Sequence, residues 1–238
     1  MVFVEPTPGL RDAARARIIM LDSSEQDRVA NDNGYELRVF ERSFDLTAAF
    51  EELEHLLDVL DRARKFPEIS LLVKLYIIGW VSLSDILANL INEIFDLGYA
   101  ERDVQLGMIL RNRKICKGTI PEVIKKHGPH IKYDYYVRVR NDIVHRGQLP
   151  DPDFKDVRGE VVTAVVLKTM RVDQRDPAAL ARATRQAEAE IGAAEKIRDL
   201  VSRKRVAFAD HLVATRSMLG DLTPVLVQRI QLQPKSAV

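Results

Sequence analysis

The sequence predicts an all-α fold, an up-down helical bundle with a long C-terminal helix, and three observations carry that expectation. Apolar residues recur at three- and four-residue steps in one segment after another, the period of a helix with a buried face. Only 6 % of the 238 residues are aromatic, and there is little sign of β-rich segments. Glycine or proline closes each periodic segment: Gly98, Gly118 and Gly147 sit where a left-handed residue ends a helix, and Pro150 cannot continue one.

Taken in order, Leu10, Ala14, Ile18 and Leu21 give residues 10–21 helical spacing. Residues 23–34 are polar and turn-rich and read as a loop, and residues 35–44 fit either an extended arm or a helix lead-in. From Asp45, the residues Leu46, Ala49, Phe50, Leu53, Leu56, Leu57 and Leu60 mark an amphipathic helix. Pro67 and Glu68 suit the first turn of the next helix, which runs to about Leu97. Within it, residues 71–91 are apolar on nearly every side, as a membrane span of about 20 residues would be. Lys74, Asp85 and Asn89 favour a central bundle helix instead, so no membrane is expected.

A third helix is expected over 101–117. Thr119-x-x-Glu122 has the form of a capping box, with Pro121 in the first turn, and opens a short helix ending at Gly128. His127 and His130 then flank a Gly128-Pro129 turn, and the next helix covers Lys132 to Arg146. LPDPD, residues 149–153, breaks the pattern before a helix over 154–170. RVDQRDP, residues 171–177, is the best boundary, and residues 178–219 read as one long helix that Pro224 breaks, with a frayed PKSAV tail. The expected organisation is an N-terminal arm and short helix over 1–42, a helical bundle over 43–170, and over 178–238 a long C-terminal helix and tail packing on the bundle or on a partner subunit.

Composition bounds the function. Hydrophobic residues at 46 % and charged residues at 30 % describe a globular chain large enough to bury a core. One cysteine, Cys116, rules out a disulfide framework within the chain and a thiolate zinc cluster, and a reducing cytoplasm is the expected location. No Gly-rich turn follows a strand, so no phosphate loop is expected; His127 and His130 lack carboxylate or thiol neighbours at ligand spacing, so neither cofactor nor metal is expected. His55 and His211 lie beside apolar residues and read as satisfied interior or boundary histidines, and Arg203-Lys204-Arg205 as a solvated helix face. The net charge of +1 is no nucleic-acid signature overall. Residues 111–132, however, hold seven Lys/Arg against one Glu, just before the helix that ends at Arg146.

That helix is unusual in its faces. At 100° per residue, Tyr135, Tyr136, Val139 and Ile143 form one stripe, read as the core face. Asn141 and His145 lie together nearly opposite, bordered by Val137 and Val144 and flanked by Arg140. Two valines beside an Asn–His pair predict a second contact face, with another helix or subunit. The plainer alternative is an ordinary helix end, with Asp134, Arg138 and Asp142 as a salt-bridge ladder at four-residue steps.

Arg140-Asn141-x-x-x-His145 on a late helix of an all-α domain resembles the HEPN superfamily, whose motif is Arg, four to six residues, then His, with a polar residue after the Arg. The resemblance covers residues 43–170, and its specific part is residues 140–145. It implies an up-down bundle, usually a homodimer, in which two motif helices meet at the interface. Many members are metal-independent endoribonucleases, of toxin or phage-defence kind; others are inactive. Carried over, the catalytic positions are Arg140, Asn141 and His145. One subgroup has a Tyr two residues past the His, a target of its antitoxin; here that position is Gly147. An antitoxin or a nucleotidyltransferase-like protein is the partner such a resemblance suggests.

RNA cleavage of this kind needs a base for the 2′-hydroxyl, an acid for the leaving 5′-oxygen and a cation on the phosphorane. One chain offers one well-placed His, and a two-fold dimer offers two. RNA contacts are expected from Arg111, Arg113, Lys114, Lys125, Lys126 and Arg146. The competing expectation is a HEPN-like RNA-binding or assembly scaffold without catalysis.

Overall fold

A computed structural model describes residues 9–19, 34–147, 149–169 and 179–232. The fold is an all-α helical bundle with a long C-terminal helix. The helices are α1 (Leu10–Ile19), α2 (Tyr35–Arg62), α3 (Phe66–Ile94), α4 (Leu106–Arg111), α5 (Thr119–Ile131), α6 (Tyr133–Arg146), α7 (Pro152–Thr169) and α8 (Ala179–Leu232), with a 3-10 turn at Glu101–Asp103. Among the described residues there is no strand. Leu21 of the expected first helix, residues 23–33 of the loop expected over 23–34, the boundary over 171–177 and the PKSAV tail lie outside the described residues.

The chain forms two units. The first comprises Met1–Glu54, Ile78–Asp134 and His211–Val238, the second His55–Ile77 and Tyr135–Asp210. In the first, Leu46, Phe50 and Leu53 of α2, Trp80, Leu83, Leu87 and Leu90 of α3, and Leu219, Leu222 and Leu226 of α8 are buried. Gly79 allows the close approach of α3 to α2, because a Cβ there would lie 3.1 Å from Leu53 Cδ2. In the second, Leu60, Ile69, Val73, Tyr76, Tyr136, Val139, Ile143, Phe154, Leu200 and Phe208 are buried. Tyr76 stacks on Phe208 with centroids 3.9 Å apart, and its hydroxyl donates to the Phe208 carbonyl at 3.2 Å. α3 is long and apolar enough to cross a membrane by length and composition, with 56 % of its most apolar window buried inside the structure. That burial is what a central bundle helix requires.

Local structure settles one alternative that the sequence left open and departs from the sequence reading at three places. Residues 35–44 are helix, the first turns of α2, with Val39 and Ser43 buried. Residues 101–117 are not one helix. Asn92 holds Tyr99 by both backbone groups, its amide donating to the Tyr99 carbonyl at 3.0 Å and its oxygen accepting from the Tyr99 N–H at 3.2 Å. The Asn112 amide donates to the Tyr99 hydroxyl at 2.9 Å, and Asn112 itself is extended at the end of α4. The Asn112 oxygen accepts from the Lys114 N–H at 2.9 Å; such a local side-chain bond to the backbone competes with the helical ladder, and only six residues stay helical in α4.

The other two departures are helices that run past their expected stops. Gly118, not Thr119, caps α5, without a side-chain cap bond, and α5 continues through Gly128 and Pro129 until Lys132 turns left-handed at φ 45°. The histidine pair is therefore helical: His127 is buried and His130 exposed. α8 likewise runs through Pro224 to Leu232. Pro224 is exposed, the carbonyl its ring crowds belongs to Gly220, and Leu222, Leu226 and Ile230 are buried around it. Packing of those leucines outweighs one missing helical bond of proline.

Candidate functional site

The motif helix is closed at its C-terminal end as its sequence requires. Gly147 takes φ 65° and returns its N–H to the Ile143 carbonyl at 2.9 Å, the left-handed cap that favours glycine. The Lys74 ammonium of α3 donates to the Gly147 carbonyl at 2.7 Å. A few residues on, Asp151 caps α7: its carboxylate accepts from the Asp153 N–H at 3.0 Å, and Pro152 occupies the first helical position.

That cap is anchored to α8. Lys204 lies 2.6 Å from Asp151 Oδ2 and 2.7 Å from Asp153 Oδ2, and Arg203 lies 3.1 Å from Asp153 Oδ1. Burial pulls the Lys204 ammonium down, but hydrogen bonds to the two carboxylates together hold it above the usual lysine value. Lys204 in return holds the Asp153 carboxyl below its usual value. Of the Arg203-Lys204-Arg205 run only Lys204 leaves solvent; Arg203 and Arg205 stay exposed, as a solvated helix face requires, with Arg205 3.2 Å from Asp61. The segment between α6 and α7 is fixed at both ends by lysines from other helices. Sequence reasoning passed over this cluster, whose signal was an acidic DPD segment and a basic triplet about fifty residues apart.

On α6, Tyr136, Val139 and Ile143 are buried as the stripe requires, while Tyr135 is 43 % exposed. Tyr135 sits edge-on to Tyr136 with centroids 5.3 Å apart, near the Asp151–Asp153–Lys204 cluster. Burial raises the phenols of Tyr76 and Tyr136 well above the usual tyrosine value, so both stay neutral behind the motif helix. The opposite side is open: Asn141, His145 and Arg146 are exposed, Val144 is 56 % exposed, and Val137 and Arg140 are half-buried. Neither Asn141 nor His145 makes a side-chain hydrogen bond to another described residue. Arg146 pairs with Asp142 one turn back at 3.3 Å. Leu71 and Leu75, on either side of Lys74 along α3, are exposed as well. Arg140, Asn141, His145 and Arg146 thus share the last two turns of one helix in the second unit.

The remaining basic candidates belong to the first unit. Arg111, Arg113, Lys114, Lys125 and Lys126 are all exposed. Lys114 donates to the Asp96 carbonyl at 2.5 Å. Lys126 is committed: it and His127 both reach Asp221 Oδ2, at 2.7 and 2.9 Å. Lys126 first, then His127, holds the Asp221 carboxyl below its usual value.

The other histidines separate. His211 is buried, its Nε2 donating to the Ile131 carbonyl at 2.9 Å and its ring 4.6 Å from Trp80. Burial lowers its pKa to about 4, so it is neutral near pH 7. His55 is exposed, not interior. Among the described residues no cluster of His, Cys, Asp and Glu forms a metal site. Comparison of the chain with protein-family models, with curated proteins and with solved structures finds no match.

Proposed function

We propose that this chain is an endoribonuclease of the HEPN type, of toxin or phage-defence kind, acting in the cytoplasm at a site composed by two copies of the chain. One observation carries the reading: Arg140, Asn141 and His145 share one helix end whose outer side, with Val144 at its middle, is exposed. The exposed Leu71 and Leu75 add apolar surface on the neighbouring helix. Such a side suits burial against a second copy, which doubles the histidines.

In that arrangement one neutral His145 takes the proton of the 2′-hydroxyl, and the 2′-oxygen attacks phosphorus. Arg140 grips the non-bridging oxygens, where negative charge grows in the phosphorane. The partner subunit's His145, protonated, gives its proton to the departing 5′-oxygen. The products are a 2′,3′-cyclic phosphate and a 5′-hydroxyl. The chain's own groups supply base, acid and counter-charge. Arg111, Arg113, Lys125 and Arg146 are the exposed cations for the RNA backbone, and Lys126, tied to Asp221, is a weaker candidate.

The test is incubation of the purified protein with RNA in EDTA, with end analysis of the products. Cyclic phosphate ends that vanish in His145→Ala and Arg140→Ala support the reading; normal cleavage by His145→Ala overturns it. A second reading, a HEPN-like RNA-binding or assembly scaffold, draws on the absence of any described residue bonding to Asn141 or His145 to orient them. It predicts salt-dependent RNA binding with no cleavage. An antitoxin or nucleotidyltransferase encoded beside this gene would favour either the toxin role or a nucleotide-binding partner of a nucleotidyltransferase.

A further inference from the structure

The second unit carries a groove that the ribonuclease reading does not use. It follows α8 from Glu190 to Val206, about 24 Å at 1.5 Å per residue, or about four and a half helical turns. The larger part, about 510 Å³, has a floor of Val161, Ala164 and Val165 from α7 and Ala193, Ala194 and Ile197 from α8. A smaller part of about 250 Å³ continues past Val201 and Val206, and Arg64 and Arg198 line both. Beyond the floor, Val162, Val166 and Ile191 are exposed.

The charges along this groove are unbalanced. Lys168 lies 3.7 Å from Glu190 towards one end, and Arg205 lies 3.2 Å from Asp61 towards the other. Arg64 and Arg198 stand where the two parts join. Arg64 donates to the carbonyls of Asp61 and Ala63, and among the described residues neither arginine pairs with a carboxylate. The lining therefore carries four cations against two anions, a surplus of two positive charges.

We propose that this groove seats an acidic amphipathic helix of a partner protein. Its length and its course along α8 match a helix of four to five turns laid between two others. Val162, Val166 and Ile191 are exposed next in sequence to the lining residues Val161, Val165 and Glu190. A second copy presenting the same groove would set like charges against each other, whereas a carboxylate on the partner's apolar stripe meets Arg64 and Arg198. The site is independent of the motif chemistry and stands whether or not the chain cleaves RNA.

The experiment uses the full chain and a fluorescent synthetic helix of about 18 residues, leucines at i, i+3, i+4 and i+7 and glutamates flanking them. A twin peptide carries lysine in place of each glutamate. Fluorescence anisotropy should show saturable binding of the acidic peptide at least about tenfold tighter than its twin, the preference shrinking as salt rises. Val165→Glu, at an exposed position, should weaken binding about tenfold or more with helix content unchanged. Arg64→Glu combined with Arg198→Glu should reverse the preference in favour of the lysine peptide. Equal affinity for the two peptides, no saturable binding of either, or a preference unmoved by the double arginine change would overturn the proposal. Displacement of the acidic peptide by sodium dodecanoate at lower concentration than by unlabelled peptide would also overturn it, in favour of a lipid site.

Discussion

His145 is exposed in the last turn of α6, so truncating it opens no cavity in the core. His145→Ala is therefore expected to lower RNA cleavage about 10²–10⁴-fold with an unchanged melting temperature, measured by gel assay beside thermal unfolding. Arg140 is half-buried, so its alanine variant should lose cleavage through the missing phosphate contact and also lose some stability. His127→Ala should leave the chemistry intact and loosen the hold on Asp221. His211 gives a pH signature of another kind. Its pKa falls from 6.5 to about 4 on folding, so between those values the unfolded chain binds the extra proton. Stability should be full above pH 6.5 and decline as pH falls towards 4, by an amount on the order of 3 kcal/mol. Urea unfolding at pH 7 and pH 4.5 checks this, and His211→Gln should lose much of the difference. A wild-type chain equally stable at both values would contradict the assignment.

At the scale of elements, the α6–α7 connection and the end of α8 make opposite predictions. Asp151 caps α7 and is held by Lys204, so Asp151→Ala should cost about 1 kcal/mol for the cap, and somewhat more because half-buried Lys204 loses one of its two carboxylates and keeps Asp153. Pro224, by contrast, sits exposed inside α8 without an N–H to donate. Pro224→Ala should restore that bond and raise stability by about 1–3 kcal/mol, read as a higher denaturant midpoint with the same slope. A destabilised Pro224→Ala would mean that the ring itself packs on its neighbours.

For the whole molecule, the prediction is a homodimer through the outer side of α6. Light scattering or sedimentation at micromolar concentration should give twice the chain mass, and Val144→Glu should halve it by placing an unpaired charge in the interface. Val144 is exposed in the single chain, so the variant should still fold. Mixed dimers of wild type with His145→Ala separate the mechanisms: a composite site predicts loss well beyond half of the activity, whereas two independent sites predict exactly half. A monomeric wild type that cleaves RNA would remove the composite site altogether.

The sequence by itself determined where apolar surface recurs, and with it the all-α class, a core helix from Pro67 to about Leu97 that the structure ends at Ile94, the motif helix ending at Gly147 and the long C-terminal helix. These are legible because amphipathic period and the left-handed cap at Gly147 are local properties of the chain, whereas Gly98 lies past the helix end at Ile94 and Gly118, at φ -101°, opens α5 instead. It also placed Arg140, Asn141 and His145 on one helix and read the side opposite the core stripe as a second contact face. Only the tertiary structure decided what distant residues do to one another. Asn112 turns extended at the end of α4 with its side chain shared between the Tyr99 hydroxyl and the Lys114 N–H, although nothing in its own sequence neighbourhood announces it. The buried Leu219, Leu222, Leu226 and Ile230 carry α8 past Pro224, an exposed residue that would end an isolated helix. Lys204 leaves solvent for Asp151 and Asp153, and His127 leaves a supposed turn for Asp221, because carboxylates far along the chain arrive within 3 Å. Ion pairs and buried hydrogen bonds depend on which residues meet, and that is settled by packing rather than by period.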